Sequence, residues 1–151
     1  SFLNFAAINE LKLGNKEKFI EYSKKAYALN PLDEQAYVLN IMGLIQSGNP
    51  DGAEALATTT AARSKYLTNW SIVNSYLDAK LSNRVISMIQ GQIVADPYTL
   101  DLRSTLASVY VKLGNPQAGI KELQEIIKIA PQYKTTIEQA IAQIKAEAKI
   151  K

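Results

Sequence analysis

The sequence predicts an all-α chain, an array of helix–turn–helix units, and three observations carry that expectation. Proline closes three segments in the same way, at Leu29-Asn30-Pro31, Ala95-Asp96-Pro97 and Ile129-Ala130-Pro131, with spacings of 66 and 34 residues. The turns Leu13-Gly14-Asn15, Ser47-Gly48-Asn49-Pro50 and Leu113-Gly114-Asn115-Pro116 recur at 34 and 66 residues. Apolar residues recur at three and four positions, as in Ile120, Leu123, Ile126 and Ile127, and no alternating run rich in β-branched residues suggests a strand. Sixty-six is two periods of 33, and a fixed period near 34 marks an array of helix pairs.

The units follow in order. Residues 2–13 and 16–29 are expected to form the first pair. Gly14 ends one helix, because glycine takes the left-handed conformation without steric cost, and Asn15 caps the next. Residues 34–47 and 50–63 form the second pair, turned by Gly48 and Asn49, with Pro50 welcome in the first turn of its helix. The period places this unit's closing proline near Lys65, where the chain reads Arg63-Ser64-Lys65-Tyr66 instead. Residues 68–80 and 83–95 form the third pair; its turn lacks the glycine and reads Lys80-Leu81-Ser82-Asn83, with Ser82 or Asn83 as the cap. Residues 99–113 and 116–129 form the fourth. After Pro131 a last helix is expected over about 133–149, with Ile137, Ala140, Ile141 and Ile144 on one face. Its other face carries Lys134, Glu138, Gln139, Gln143, Lys145, Glu147 and Lys149, the pattern of a capping helix. The expected organisation is one domain, 1–151, with repeats at about 1–33, 34–66, 67–99 and 100–133 and a capping helix over 134–151. One helix pair cannot bury its apolar face alone, so the core must lie between stacked units.

Composition excludes several functions. The chain has no cysteine and no histidine, which removes disulfides, thiolate or imidazole metal sites and Cys or His catalysis. No metal site and no cofactor is expected. Absent cysteine suits the cytosol and an exported protein equally, so the compartment stays open. No run of uncharged apolar residues is long enough to span a membrane. Net charge is +3, and the only arginines, Arg63, Arg84 and Arg103, lie far apart, so no nucleic-acid stripe is expected. The clusters Lys16, Lys18, Lys24, Lys25 and Lys145, Lys149, Lys151 read as solvated helix faces. Asp33, Glu34, Asp51, Glu122 and Glu125 fall on outward faces or caps, so no convergent carboxylate pair is expected and the chain reads as no enzyme. Asn69-Trp70-Ser71 matches the glycosylation triplet but falls on an expected helix, and Thr58-Thr59-Thr60 reads as ordinary helix surface. A chain opening on Ser1-Phe2 is expected to derive from a longer one.

These residues resemble the tetratricopeptide-repeat family over nearly the whole chain. In the fourth unit Leu106, Ala107, Tyr110, Gly114, Asn115 and Pro131 stand at the family's positions, with Gly119 where it usually has Ala. Ala7, Gly14, Asn15, Ala26 and Pro31 match in the first unit, with Glu10 at the usual Tyr place. Tyr37, Gly48, Asn49 and Ala53 match in the second, where Asn40 and Ile41 replace a Leu-Gly pair. Ile72, Tyr76, Asp96 and Pro97 match in the third. The small residues Ala7, Ala53 and Ala107 would let paired helices approach closely, and Tyr76 and Tyr110 would fill the gaps between units.

The resemblance implies a right-handed superhelical solenoid whose first helices line a concave groove. Carried over by position, the groove would receive Asn4, Phe5, Ile8 and Lys12, then Val38, Leu39, Met42 and Gln46. Trp70, Ser71, Asn74 and Asp78 follow, then Ser104, Thr105, Ser108 and Lys112. Chaperone-binding members hold a peptide carboxylate with Lys, Arg and Asn at such places; with Ile8, Val38, Met42 and Trp70 here, that clamp is not expected. An apolar groove invites an amphipathic helix or apolar peptide, with Met42 as an adaptable surface and Trp70 as an anchor.

The expected function is therefore a non-catalytic protein–protein interaction scaffold that binds a peptide or helix of a partner in its groove. Phe5, Ile8, Val38, Leu39, Met42, Trp70, Asn74 and Ser108 are its candidate contacts, with core packing as the competing role for the apolar ones. The alternative is a self-assembling structural subunit, forming head-to-tail oligomers or filaments through Phe2, Leu3 and Phe5 of an apolar first helix. The expected partner is a protein or peptide, or another copy of the chain.

Overall fold

The computed structural model describes all 151 residues, as ten α-helices and one 3-10 turn with no strand. Contacts sort them into two compact units, residues 1–82 and 83–151.

The first unit holds α1 (Phe2–Lys12), α2 (Lys16–Leu29), α3 (Glu34–Gln46), α4 (Pro50–Glu54), α5 (Thr60–Thr68) and α6 (Trp70–Asp78). Side-chain oxygens start these helices by accepting otherwise orphaned backbone N–H groups. Ser1 Oγ accepts from Asn4 N at 3.2 Å, Asp33 Oδ1 from Ala36 N at 2.9 Å and Asn49 Oδ1 from Gly52 N at 2.9 Å. The core gathers Ala7, Phe19 and Leu39, with Ile8, Leu11, Ile20, Tyr22 and Met42 packed against it. Helices α2 and α3 approach closely because Gly43 has no side chain; a Cβ there would stand 2.8 Å from Ser23 Oγ.

The expected helix over 50–63 is two helices. The chain leaves α4 after Glu54, and the N–H groups of Ala55, Leu56 and Ala57 turn back to the carbonyls of Asp51, Ala53 and Glu54. Thr58-Thr59-Thr60 explains the break. Threonine is stiff at χ1, and its hydroxyl competes for backbone groups, so it favours a cap over a helix interior. Thr59 takes an extended conformation and its Oγ1 accepts from Ala62 N at 3.0 Å. The threonines are thus a helix start rather than plain helix surface. Helix α5 then runs through the place where the closing proline was expected. Asn69 ends it and caps the next, its Oδ1 accepting from Ile72 N at 3.3 Å, so α6 begins at Trp70 rather than residue 68.

The second unit begins at the second residue of α7 (Ser82–Ala95) and continues through α8 (Leu100–Lys112), α9 (Pro116–Ile129), the 3-10 turn Pro131–Tyr133 and α10 (Lys134–Ala148). Ala107, Leu123 and Ile126 form its core, with Leu100, Ile137, Ala140, Ile141 and Ile144 half-buried against them. An ion pair ties α8 to α9, Arg103 Nη1 to Glu122 Oε2 at 3.1 Å. Gln90 Nε2 of α7 donates to the Tyr110 hydroxyl of α8 at 3.1 Å. No residue of α10 is fully buried.

Four turns share one geometry. Asn15, Asn49 and Asn115 N–H each donate to the carbonyl five residues back, Glu10, Leu44 and Tyr110, at 2.9 Å, and Leu81 N–H does the same to Tyr76 at 2.8 Å. The residue before each donor is left-handed: φ is 75° at Gly14, 84° at Gly48, 81° at Gly114 and 62° at Lys80. The third turn therefore forms without the glycine, at the cost of a side chain in a conformation that L-residues resist. Lys80→Gly is expected to stabilise the protein by about 0.5–1 kcal/mol, the steric relief exceeding the chain entropy that glycine loses. Thermal unfolding followed by circular dichroism checks it; an unchanged or lower midpoint would show that Lys80 is not strained.

Candidate partner-binding site

The first unit separates the expected groove residues by burial. Leu39 is only 5% exposed and belongs to the core with Ala7 and Phe19, so it is not a groove contact. Its side chain packs with Ala7 of α1 and Phe19 of α2. Ile8 and Met42 are half-buried against the same core, and Val38 is half-buried too. Phe5 and Trp70 are exposed, as is Phe2, whereas Leu3 is half-buried.

Asn4, placed in the groove by position, is buried instead. Its Nδ2 donates to Asp33 Oδ2 at 3.1 Å and so clasps α1 to the start of α3. The Ala36 backbone N–H, helped by the Asn4 amide, holds the Asp33 carboxyl below its ordinary range. Asn74 Nδ2 donates to Asp78 Oδ2 at 3.2 Å, one turn along the same helix. A hollow over Gly14, Asn15, Lys16, Glu17 and Lys18 is formed by one turn and the start of one helix, so nothing opposite closes it.

The second unit contains a formed cleft. Ser104, Ser108 and Lys112 lie four residues apart on α8, which puts them on one helix face. They line a cleft of about 450 Å³ together with Ala107, Val111, Leu123, Ala140 and Ile144. The floor is apolar and the rim polar. Ser108 Oγ donates to Ser104 O at 3.1 Å, which commits its proton and leaves its oxygen able to accept. Thr105, expected beside them, donates its Oγ1 proton to Asp101 O at 2.9 Å and does not line the cleft. A second hollow, lined by Val111, Gly114, Pro116, Ile144, Glu147 and Ala148, shares Val111 and Ile144 with the first and extends it along α10.

Three groove residues expected from the fourth unit thus meet in one place. The opposite wall, Ala140 and Ile144 of α10, was expected only as the inward face of a capping helix. Apolar residues four apart signalled a buried stripe, not that α10 would stand off far enough to leave a cleft.

A tetratricopeptide-repeat model matches residues 100–133, which span α8, α9 and the turn between them. Among solved structures, MamA is 18% identical, with 98% of this chain and 81% of that chain covered and a TM-score of 0.47. The thermophilic tetratricopeptide-repeat protein TTC0263 of Thermus thermophilus is 16% identical, with 94% and 79% covered and a TM-score of 0.46. No curated protein matches. Tetratricopeptide-repeat proteins are, as a rule, non-catalytic scaffolds that bind other proteins. No helix of this chain is long and apolar enough to cross a membrane. The chain is thus an all-α helical-repeat protein carrying a tetratricopeptide repeat at residues 100–133.

Proposed function

We propose that this protein is a non-catalytic interaction scaffold that receives a peptide or helix of a partner on the groove face of its first helices. The observation that carries the reading is the α8–α10 cleft: a largely apolar lining that also includes Ser104, Ser108 and Lys112. Ligand sites are commonly concave, mostly apolar and fitted with a few placed polar groups. The first unit, taken by itself, offers its own candidate contacts in exposed Trp70 and Phe5 and half-buried Ile8, Val38, Met42 and Asn74. A random short-peptide display library selected on the intact chain tests the reading. Recovered peptides are expected to lose roughly tenfold or more in affinity for Ser108→Trp, which fills the cleft mouth. Binders indifferent to that variant, or no binders, would remove the cleft from the function.

A second reading is favoured by one observation: Phe2 and Phe5 are 81% and 70% exposed, three residues apart on α1. Exposed large apolar residues side by side mark contact surfaces. Under this reading copies associate head to tail through Phe2, Leu3 and Phe5. Light scattering across a concentration series should then report oligomers that Phe2→Asp and Phe5→Asp dissolve; a concentration-independent monomer sinks the idea.

A further inference from the structure

We infer that the α8–α10 cleft receives α1 of a second copy of this chain, with Phe2 and Phe5 of that copy seated in its apolar lining. This rests on the self-association reading and names the surface that accepts the α1 residues.

Helix α1 is apolar on two opposite faces. One face carries Asn4 and Ala7, both buried, with Ile8 and Leu11 half-buried against the core. The period of about 3.6 residues per turn gathers Phe2, Phe5, Asn9 and Leu13 into one stripe on the other face. Leu13, the C-cap, keeps right-handed helical angles and so stays in register with that stripe. Phe2, Phe5 and Leu13 are 81%, 70% and 65% exposed. An amphipathic surface helix turns polar groups outward; a helix apolar all round is one that neighbours cover all round.

The cleft matches this stripe in size, length and chemistry. A dry cavity of about 150 Å³ takes one benzene ring, so the cleft, at about 450 Å³, has room for both phenylalanine rings. From Phe2 to Leu13 the stripe runs about 17 Å, and from Ala140 in the cleft to Ala148 in the adjoining hollow α10 offers about 12 Å. Ala107, Val111, Leu123, Ala140 and Ile144 supply apolar contact. Asn9 gives the stripe an amide, and Ser108 Oγ, its own proton given to Ser104 O at 3.1 Å, can accept from it. Laying a helix lengthwise in an apolar groove is a recurrent mode of recognition. The three exposed side chains offer roughly 400 Å², about half of what one partner brings to a standard interface. The contact therefore belongs to the weak, reversible class, and copies associate as concentration rises. Because stripe and cleft are different surfaces of one chain, each copy can give its α1 to one neighbour and its cleft to another.

Sedimentation velocity on the intact chain, over a concentration series carried to the solubility limit, tests this. The wild type should form oligomers. Phe2→Asp with Phe5→Asp spoils the stripe, and Ala140→Trp fills the cleft; each variant should self-associate roughly tenfold or more weakly. Mixed in equal amounts they should form a 1:1 dimer and nothing larger, since one keeps the cleft and the other keeps the stripe. Ser108→Trp fills the cleft from α8 should Ala140→Trp lose its circular dichroism spectrum. Wild-type oligomers that persist in a folded cleft variant, or a mixture that stays monomeric, overturn the cleft as acceptor and leave self-association through Phe2 and Phe5 standing. A wild type that stays monomeric throughout overturns both.

Discussion

Replacing Tyr76 by Ala is expected to cost the first unit about 3–5 kcal/mol, the range for removing a large buried aromatic side chain. Tyr76 is fully buried, and its ring stands edge-on to that of Tyr66 at a centroid distance of 6.3 Å. Its hydroxyl is shared with the Tyr66 hydroxyl at 2.6 Å and donates to Glu54 Oε1 at 2.9 Å. One side chain thus joins α6 to α4 and α5, the two helices created by the break at Thr58-Thr59-Thr60. Tyr76→Phe keeps the ring and deletes the hydrogen bonds, so about 1–2 kcal/mol should go. Alkaline pH should expose the same group. Burial first, then the Tyr66 hydroxyl and the Glu54 carboxylate, push the Tyr76 phenol far above its ordinary value. A folded-state pKa raised above the unfolded one means stability that is intact below about pH 10 and lost as pH rises beyond it. At pH 11 about 1.4 kcal/mol should be missing on this account, since the unfolded phenol ionises and the folded one does not. Thermal midpoints at pH 9 and pH 11 check it. The wild type should fall more steeply than Tyr76→Phe, and parallel declines would assign the alkaline lability elsewhere.

The sequence disclosed this fold unevenly, for physical reasons. The turns were legible because each depends on a left-handed residue and a six-residue hydrogen-bonded loop, both local; even Lys80, the residue without the expected chemistry, sat at the right position. The split of residues 50–63 was not legible from period. Apolar spacing averages over a whole helix, whereas the break depends on three adjacent threonines and on where Thr59 finds an N–H to cap. Asn4 and Leu39 were misplaced for a related reason. Position in a repeat says which helix face a residue occupies, but not whether the neighbouring helix covers that face. Asp33 at the start of α3 decides for Asn4, and the close approach of α2 at Gly43 decides for α3. The cleft was half legible. Ser104, Ser108 and Lys112 followed from spacing on one helix, whereas Ala140 and Ile144 reach it only through the tertiary placement of α10.

Gly119→Leu should be the most damaging single substitution in the second unit, and it should strike binding as well as stability. Gly119 lies on α9 where α8 crosses it. A Cβ at that position would stand 2.9 Å from the carbonyl oxygen of Ala107 and 2.8 Å from Val111 Cγ2, distances that side chains do not tolerate. The Ala107 carbonyl is backbone and cannot rotate away, so the two helices must part. Even Gly119→Ala, which gains about 1 kcal/mol of helix propensity, should lose more than it gains, because overpacking costs about 1–3 kcal/mol. A leucine adds a branched side chain to the same collision, and a loss of roughly 3 kcal/mol or more is expected. Ala107 and Val111 also line the cleft, together with Leu123 of α9, so parting α8 from α9 moves the lining itself. Displacing them should reshape the site with no rim residue touched. The two variants form a graded series. Affinity for a selected peptide should fall from wild type to Gly119→Ala to Gly119→Leu, measured below the melting temperature of each. Lowered stability with full affinity in Gly119→Ala would mean that the cleft does not depend on the α8–α9 spacing and that its floor moves as a rigid surface.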